Sequence, residues 1–139
     1  MEKATVGTLI ERAMEARSFS YAPYSHFSVG AALLGKDGRI YTGCNVENAS
    51  YGATNCAERT AVFKAVSEGC TSFDAIAICG GKIGEDPLDY AYPCGICRQV
   101  LSEFTGPDFE VFVAKSTDDY RKYHLNELLP CSFGGENIK

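Results

Sequence analysis

The chain has 139 residues, of which 45% are hydrophobic and 22% charged, and carries a formal net charge of -5. A chain of this length can build a core without a metal staple, and its composition argues against disorder. The acidic balance and the lack of an extended basic grouping speak against a nucleic-acid partner, and no apolar run is long enough to cross a membrane.

Residues 3–17 read as an amphipathic helix, with Leu9, Ile10, Ala13 and Met14 on one face. This start has no basic region followed by an unbroken apolar run, so it reads as part of the fold rather than as a secretion signal. Pro23 places the end of the helix before it. Residues 27–34 alternate as a strand, with Phe27, Val29, Ala31 and Leu33 on one side. Asp37-Gly38 marks a hairpin turn into a second strand over residues 39–44, so this pair is antiparallel. The polar residues 45–52 have no period and form a loop. A helix over residues 56–68 follows, with Thr54 or Asn55 as its cap and Gly69 as its stop.

Residues 73–79 are mostly apolar and fit a central strand, and residues 80–93 read as loop. A second short helix begins near Cys94 and stops before Gly106-Pro107. Residues 109–114 alternate as a strand, residues 120–125 supply a fifth, and residues 126–129 form a last helical turn. Helices that cross between strands imply a sheet covered on both faces, and the hairpin makes that sheet mixed. The expected fold is thus α/β: a three-layer α/β/α sandwich around a mixed five-stranded sheet, in one domain over residues 1–139.

Seven cysteines, an odd number with no secretion pattern, suit a reduced, cytoplasmic protein better than a disulfide framework. Cys79, at the end of an apolar strand, reads as a core residue. Cys56-Ala57-Glu58 and Pro93-Cys94-Gly95-Ile96-Cys97 carry the chemistry. Cys94 and Cys97 stand three apart at a helix start, where both can face one metal ion, and Cys56 starts the other helix. Helix N-termini favour thiolates. Three protein ligands leave a fourth tetrahedral position open, as in catalytic zinc sites. A C-x-x-C alone fits a redox pair or half of a structural site, and Cys44 or Cys131 could by spacing close a four-cysteine site.

Glu58 has two readings: the N3 member of a capping box with Asn55, or the group that moves protons beside the metal. Three ligands, a glutamate that is not a ligand and P-C-x-x-C together match the signature of zinc deaminases of nucleobases. Three thiolates on Zn²⁺ leave a net charge of about -1, which a guanidinium donating to the sulfurs would offset. Arg59 is the expected donor, with Arg98 and Gln99 as alternatives. His26 and His124 are read as turn or structural residues.

Residues 21–32, 43–49, 55–61 and 93–100 carry four motifs in order, and the chain closely resembles the small, homotetrameric cytidine deaminases of pyrimidine salvage across roughly residues 4–133. The resemblance implies hydrolysis of cytidine and 2′-deoxycytidine by a zinc-bound hydroxide, with one zinc per subunit on Cys56, Cys94 and Cys97 and with Glu58 as proton shuttle. It implies that Phe27 packs on the base, that Ala57 and Glu58 engage it, and that Asn45 and Glu47 hold the ribose. Tyr51 falls near the sugar and a subunit boundary, Phe133 enters a neighbouring subunit's site, and Arg59 bonds to the ligand thiolates. The implied partners are a small nucleoside and further copies of the chain, with no nucleic acid and no membrane. The sequence departs from the family at Ile96, expected to alter packing behind the zinc loop, at Cys131, and in the acidic loop over residues 80–92. Two other kinds of deaminase fit a zinc site of this type. One acts on an aminonucleoside such as blasticidin S, and the other edits polynucleotides, for which the first ligand is commonly histidine and a basic face is expected. A structural zinc module is the reading outside catalysis.

Overall fold

A computed structural model describes residues 1–138. Its strands are β1 (Phe27–Gly35), β2 (Ile40–Cys44), β3 (Phe73–Lys82), β4 (Glu110–Ser116) and β5 (Asp119–His124). They form one five-stranded sheet in the order β2-β1-β3-β4-β5. The β1/β2, β1/β3 and β4/β5 pairs are antiparallel and β3/β4 is parallel. The expected mixed sheet flanked by helices is therefore what the chain builds.

Helix α1 (Lys3–Ala16) covers one face with Val6, Leu9, Ile10 and Ala13, spaced to fall on one side of a helix. Beneath it the sheet presents Ala32, Ala75, Ala77 and Ala114. These small side chains let the helix come close, and at Gly30 a Cβ would lie 1.9 Å from the Ala13 carbonyl oxygen. The opposite face carries α2 (Ala57–Ser67), α3 (Gly95–Phe104) and the short α4 (Leu125–Leu128), packed on Leu33, Ile76, Ile78, Val111 and Val113.

Because β2 and β3 are both antiparallel to β1, they run the same way, and α2 must cross over β1 to join them. Helix α3 makes the equivalent crossover from β3 to its parallel neighbour β4. Both helices thus leave the carboxyl ends of co-directional strands on the same face, and their N-termini meet. Open α/β sheets bind ligands at such a place.

Three sequence expectations change. The N-cap of α2 is Cys56, with no side-chain capping bond, rather than Thr54 or Asn55. The Asn55 backbone is engaged with Val46 in two hydrogen bonds of 2.9 Å, and its side-chain amide donates to Thr60 Oγ1. That registers Glu58 one position earlier than a capping box needs. Strand β3 continues past Cys79 to Lys82, because Gly80 and Gly81 pair with Val29 and Ser28. Ile96 is 61% exposed, so its bulk does not pack behind the zinc loop. The hairpin turn is as expected: Gly38 takes φ +83°, and the Gly35 amide donates to the Arg39 carbonyl. His124 is structural, since its backbone amide donates to the Glu127 carboxylate at 2.8 Å at the start of α4.

Candidate metal centre and catalytic pocket

The two crossover helices start on cysteines: Cys56 is the N-cap of α2 and Cys94 that of α3, and Cys97 follows one turn into α3. Their three sulfurs lie within 4.8 Å of one another. The Cys56 and Cys94 sulfurs are 3.8 Å apart, close to the about 3.8 Å that two Zn–S bonds of about 2.3 Å subtend at a tetrahedral angle. Among the described residues no fourth cysteine, histidine or carboxylate joins the group, so Cys44 and Cys131 do not close it. Three soft sulfur donors with one position open suit a catalytic zinc ion.

The charge balance fits the same ion. Arg59 Nη2 donates to Cys56 Sγ at 3.3 Å. Its Nε is buried with no hydrogen-bond partner of its own. A guanidinium is held there against sulfur, which is sensible where those sulfurs are thiolates. The thiol of Cys56 is held well below the ordinary thiol range by hydrogen bonds from Cys97, then from Arg59 and Cys94. Cys97 is pushed up by its contact with Cys56 and by burial. Cys56 and Cys97 thus act on each other, and the Cys56 sulfur is held as the thiolate that a cation would take. Arg98 and Gln99 do not reach the sulfurs: Arg98 donates to the Pro93 and Leu128 carbonyls at 2.7 and 2.8 Å, and Gln99 to the Phe133 carbonyl.

Glu58, in the first turn of α2, is 4% exposed. Burial raises its carboxyl to about 7, with the adjacent Cys56 thiolate as a further cause. A carboxyl that is neutral and ionised in similar measure near pH 7 can both take and give a proton. It lines a cavity of about 340 Å³ together with Phe27, Asn45, Ala57, Cys56 and Cys94. This volume matches a small ligand. Phe27 and Ala91 close on each other over Gly80, where a Cβ would lie 2.9 Å from each. Two roomier grooves, near the α3 C-terminus and the tail, hold none of the cysteine group.

The remaining expected residues divide. Phe27 is 40% exposed on the cavity wall rather than in the core. Asn45 is buried, and its amide is satisfied by β1: Oδ1 accepts from the Val29 amide at 2.9 Å and Nδ2 donates to the Phe27 carbonyl at 2.8 Å. It therefore fixes Phe27 while bordering the cavity. Glu47 lies outside the cavity lining and accepts from the backbone amides of Tyr24 and Ser25 at 3.0 and 3.1 Å and from the Ser25 hydroxyl. That hydroxyl, followed by the two amides, holds its carboxyl below the usual range. Tyr51 is 77% exposed and meets Tyr24 edge-on, and Phe133 is 57% exposed beside the tail groove, so neither enters the cavity of its own chain. Sequence reasoning left out Thr54, Ala91 and Tyr92, which also line the cavity. Only the adjacency of residues 91 and 92 to Cys94 hinted at it.

The description "Cytidine and deoxycytidylate deaminase zinc-binding region" belongs to a family whose profile matches residues 4–113. A cytidine deaminase of Sporosarcina psychrophila is 47% identical over 133 residues, covering 96% of this chain and 94% of its own. One from Halalkalibacterium halodurans is 48% identical over 130 residues, covering 94% of this chain and 95% of its own. The crystal structure of the cytidine deaminase from Burkholderia pseudomallei superposes with a TM-score of 0.81 at 48% identity, over 91% of this chain and 97% of that one. With its three-cysteine zinc site and its mixed sheet, the chain is an enzyme of the zinc-dependent cytidine and deoxycytidylate deaminase family.

Proposed function

We propose that the chain hydrolyses the exocyclic amine of cytidine and 2′-deoxycytidine, giving uridine, 2′-deoxyuridine and ammonia, as one domain serving pyrimidine salvage in the cytoplasm. The observation that carries this reading is the placement of Glu58, buried in the wall of a nucleoside-sized cavity beside three convergent thiols.

Cys56, Cys94 and Cys97 would hold the zinc ion, which would supply the Lewis acidity that makes water nucleophilic at neutral pH. Glu58 takes one proton of the attacking water, whose oxygen bonds to pyrimidine C4, and delivers it to the ring nitrogen N3. It then moves the remaining proton of that oxygen to the exocyclic amine, so that the C4–N bond breaks, ammonia leaves and the C4 carbonyl forms. The order needs one group able to gain and lose a proton at the same atom, which its raised carboxyl suits. Phe27 packs on the pyrimidine face and the Ala57 backbone reads its edge. Arg59 offsets the excess thiolate charge.

Asn45 and Glu47 hold the ribose. The contacts of Asn45 to β1 and of Glu47 to the 24–25 turn set both groups before the sugar arrives. No lysine or arginine lines the cavity among the described residues, which favours a free nucleoside over a nucleotide. Tyr51 and Phe133, both exposed and outside their own cavity, are completed in a homotetramer, where Phe133 closes a neighbour's site.

An absorbance assay comparing cytidine, deoxycytidine, cytidine monophosphate and blasticidin S tests this reading. The two nucleosides are turned over and the others only poorly. Turnover of the monophosphate as efficient as that of cytidine would overturn the nucleoside assignment, and preference for blasticidin S the substrate class.

A further inference from the structure

The segment that leads into Cys94 forms the cavity wall that neither the sequence motifs nor the reaction scheme uses. Ala91 and Tyr92 line the cavity. Ala91 meets Phe27 over Gly80: a Cβ on that glycine would lie 2.9 Å from both Ala91 Cβ and Phe27 Cε2. Ala91 therefore stands close to the Phe27 ring, and Tyr92, the next residue, lines the same cavity as that ring.

This wall has no regular secondary structure of its own, and two tyrosines fasten it to the edge strand β5. Tyr92 and Tyr123 share a hydrogen bond between hydroxyls, 3.0 Å apart, and their rings meet edge-on with centroids at 5.7 Å. Two residues earlier, the Tyr90 hydroxyl donates to the Asp119 carboxylate, and Arg121 and Lys115 lie 4.4 and 4.8 Å from the centre of its ring. The main contact of Tyr92 away from the cavity is therefore with a strand that carries none of the reaction's groups. Tyr92 is 40% exposed, so the contact stabilises a position more than a core.

We propose that Tyr92 is a substrate-binding residue that forms the cavity wall beside Phe27, and that Tyr123 is a positioning residue that sets this wall through the hydroxyl pair. This deepens the nucleoside reading and rests on it. A loop side chain free to rotate must be ordered when ligand arrives, at the expense of affinity, whereas one held in place beforehand need not be. Tyr123→Phe removes the partner hydroxyl and leaves every cavity-lining atom unchanged. The wall then loosens and binding weakens, while the zinc ligands and Glu58 stay as they were.

The experiment is a double-mutant cycle on zinc-loaded protein with cytidine, using Tyr92→Phe, Tyr123→Phe and both together. KM, kcat, zinc content and melting temperature are measured on the same preparations. Each single variant is expected to raise KM about three- to tenfold, the loss of one neutral hydrogen bond. kcat should stay within about twofold, with zinc unchanged. The double variant should resemble the singles, because both remove the same contact. A KM within twofold of the parent in both singles overturns the proposal, whatever happens to the melting temperature. So does lost zinc or a fall in kcat alone, since the pair would then anchor the metal loop instead. If one single variant does not fold, the other decides by the same criterion. Parent protein that fails to turn over cytidine at full zinc content refutes the nucleoside reading itself, an outcome distinct from unmoved variants of an active parent.

Discussion

At the residue scale, the reading turns on two neighbours in the first turn of α2. Glu58→Gln keeps the shape and hydrogen-bonding capacity of the side chain but cannot exchange a proton near neutrality. Turnover should fall at least about a hundredfold, with zinc still near one per chain, because the three cysteines are untouched. Lost zinc would make Glu58 a structural group; normal turnover at full zinc would remove it from the mechanism. Arg59→Ala takes away the donor to Cys56 Sγ. Removing a partner of a metal ligand typically costs about 10- to 100-fold in metal affinity or activity, and zinc titration with initial rates should show a loss in that range. An unchanged rate and affinity would mark Arg59 as a packing residue. These two residues were legible in the sequence for different reasons. Glu58 belongs to a local motif, and Arg59 followed from counting the charge of three thiolates. Tyr92 was not legible, because its partner Tyr123 is on another element and no periodicity links them.

At the scale of elements, the site exists because α2 and α3 begin at the same end of the sheet. Their close seating is set by small residues. At Gly43 on β2 a Cβ would lie 2.4 Å from the Ala57 carbonyl oxygen and 2.5 Å from the Ala61 amide nitrogen. Both are helix backbone and cannot swing aside. Gly43→Ala should therefore push α2 off the sheet, destabilise the fold by about 1–3 kcal/mol and weaken zinc binding by displacing Cys56. Gly106→Ala, with nothing within 4 Å of the added carbon, should stay within about 0.5 kcal/mol of the parent. Denaturant unfolding and zinc titration of the two variants make the comparison, and equal stabilities would contradict the packing account. The elements themselves were largely readable, since apolar periodicity and the Asp37-Gly38 turn are local signals. Their ends were less so. Asn55 looks like a helix cap in sequence, but its pairing with Val46 hands that position to Cys56. The extension of β3 through Gly80 and Gly81 depends on pairing with β1, which no single segment reveals.

At the scale of the whole molecule, the acidic chain presents exposed aromatic groups that its own fold leaves uncovered, among them Tyr51 and Phe133. If Phe133 completes a neighbour's site, Phe133→Ala should lower activity while its own cavity remains intact, and light scattering should find the active parent as a tetramer. An active monomer at assay concentration would contradict the shared site. The central claim is that a zinc ion on Cys56, Cys94 and Cys97 makes this chain a nucleoside deaminase. Its most direct test is the initial rate of cytidine conversion to uridine as zinc is removed by a chelator and then returned in known amounts. Turnover should vanish with the metal and rise in proportion to bound zinc, levelling at one ion per chain. Undiminished turnover by zinc-free protein, or none at one zinc per chain, would contradict it.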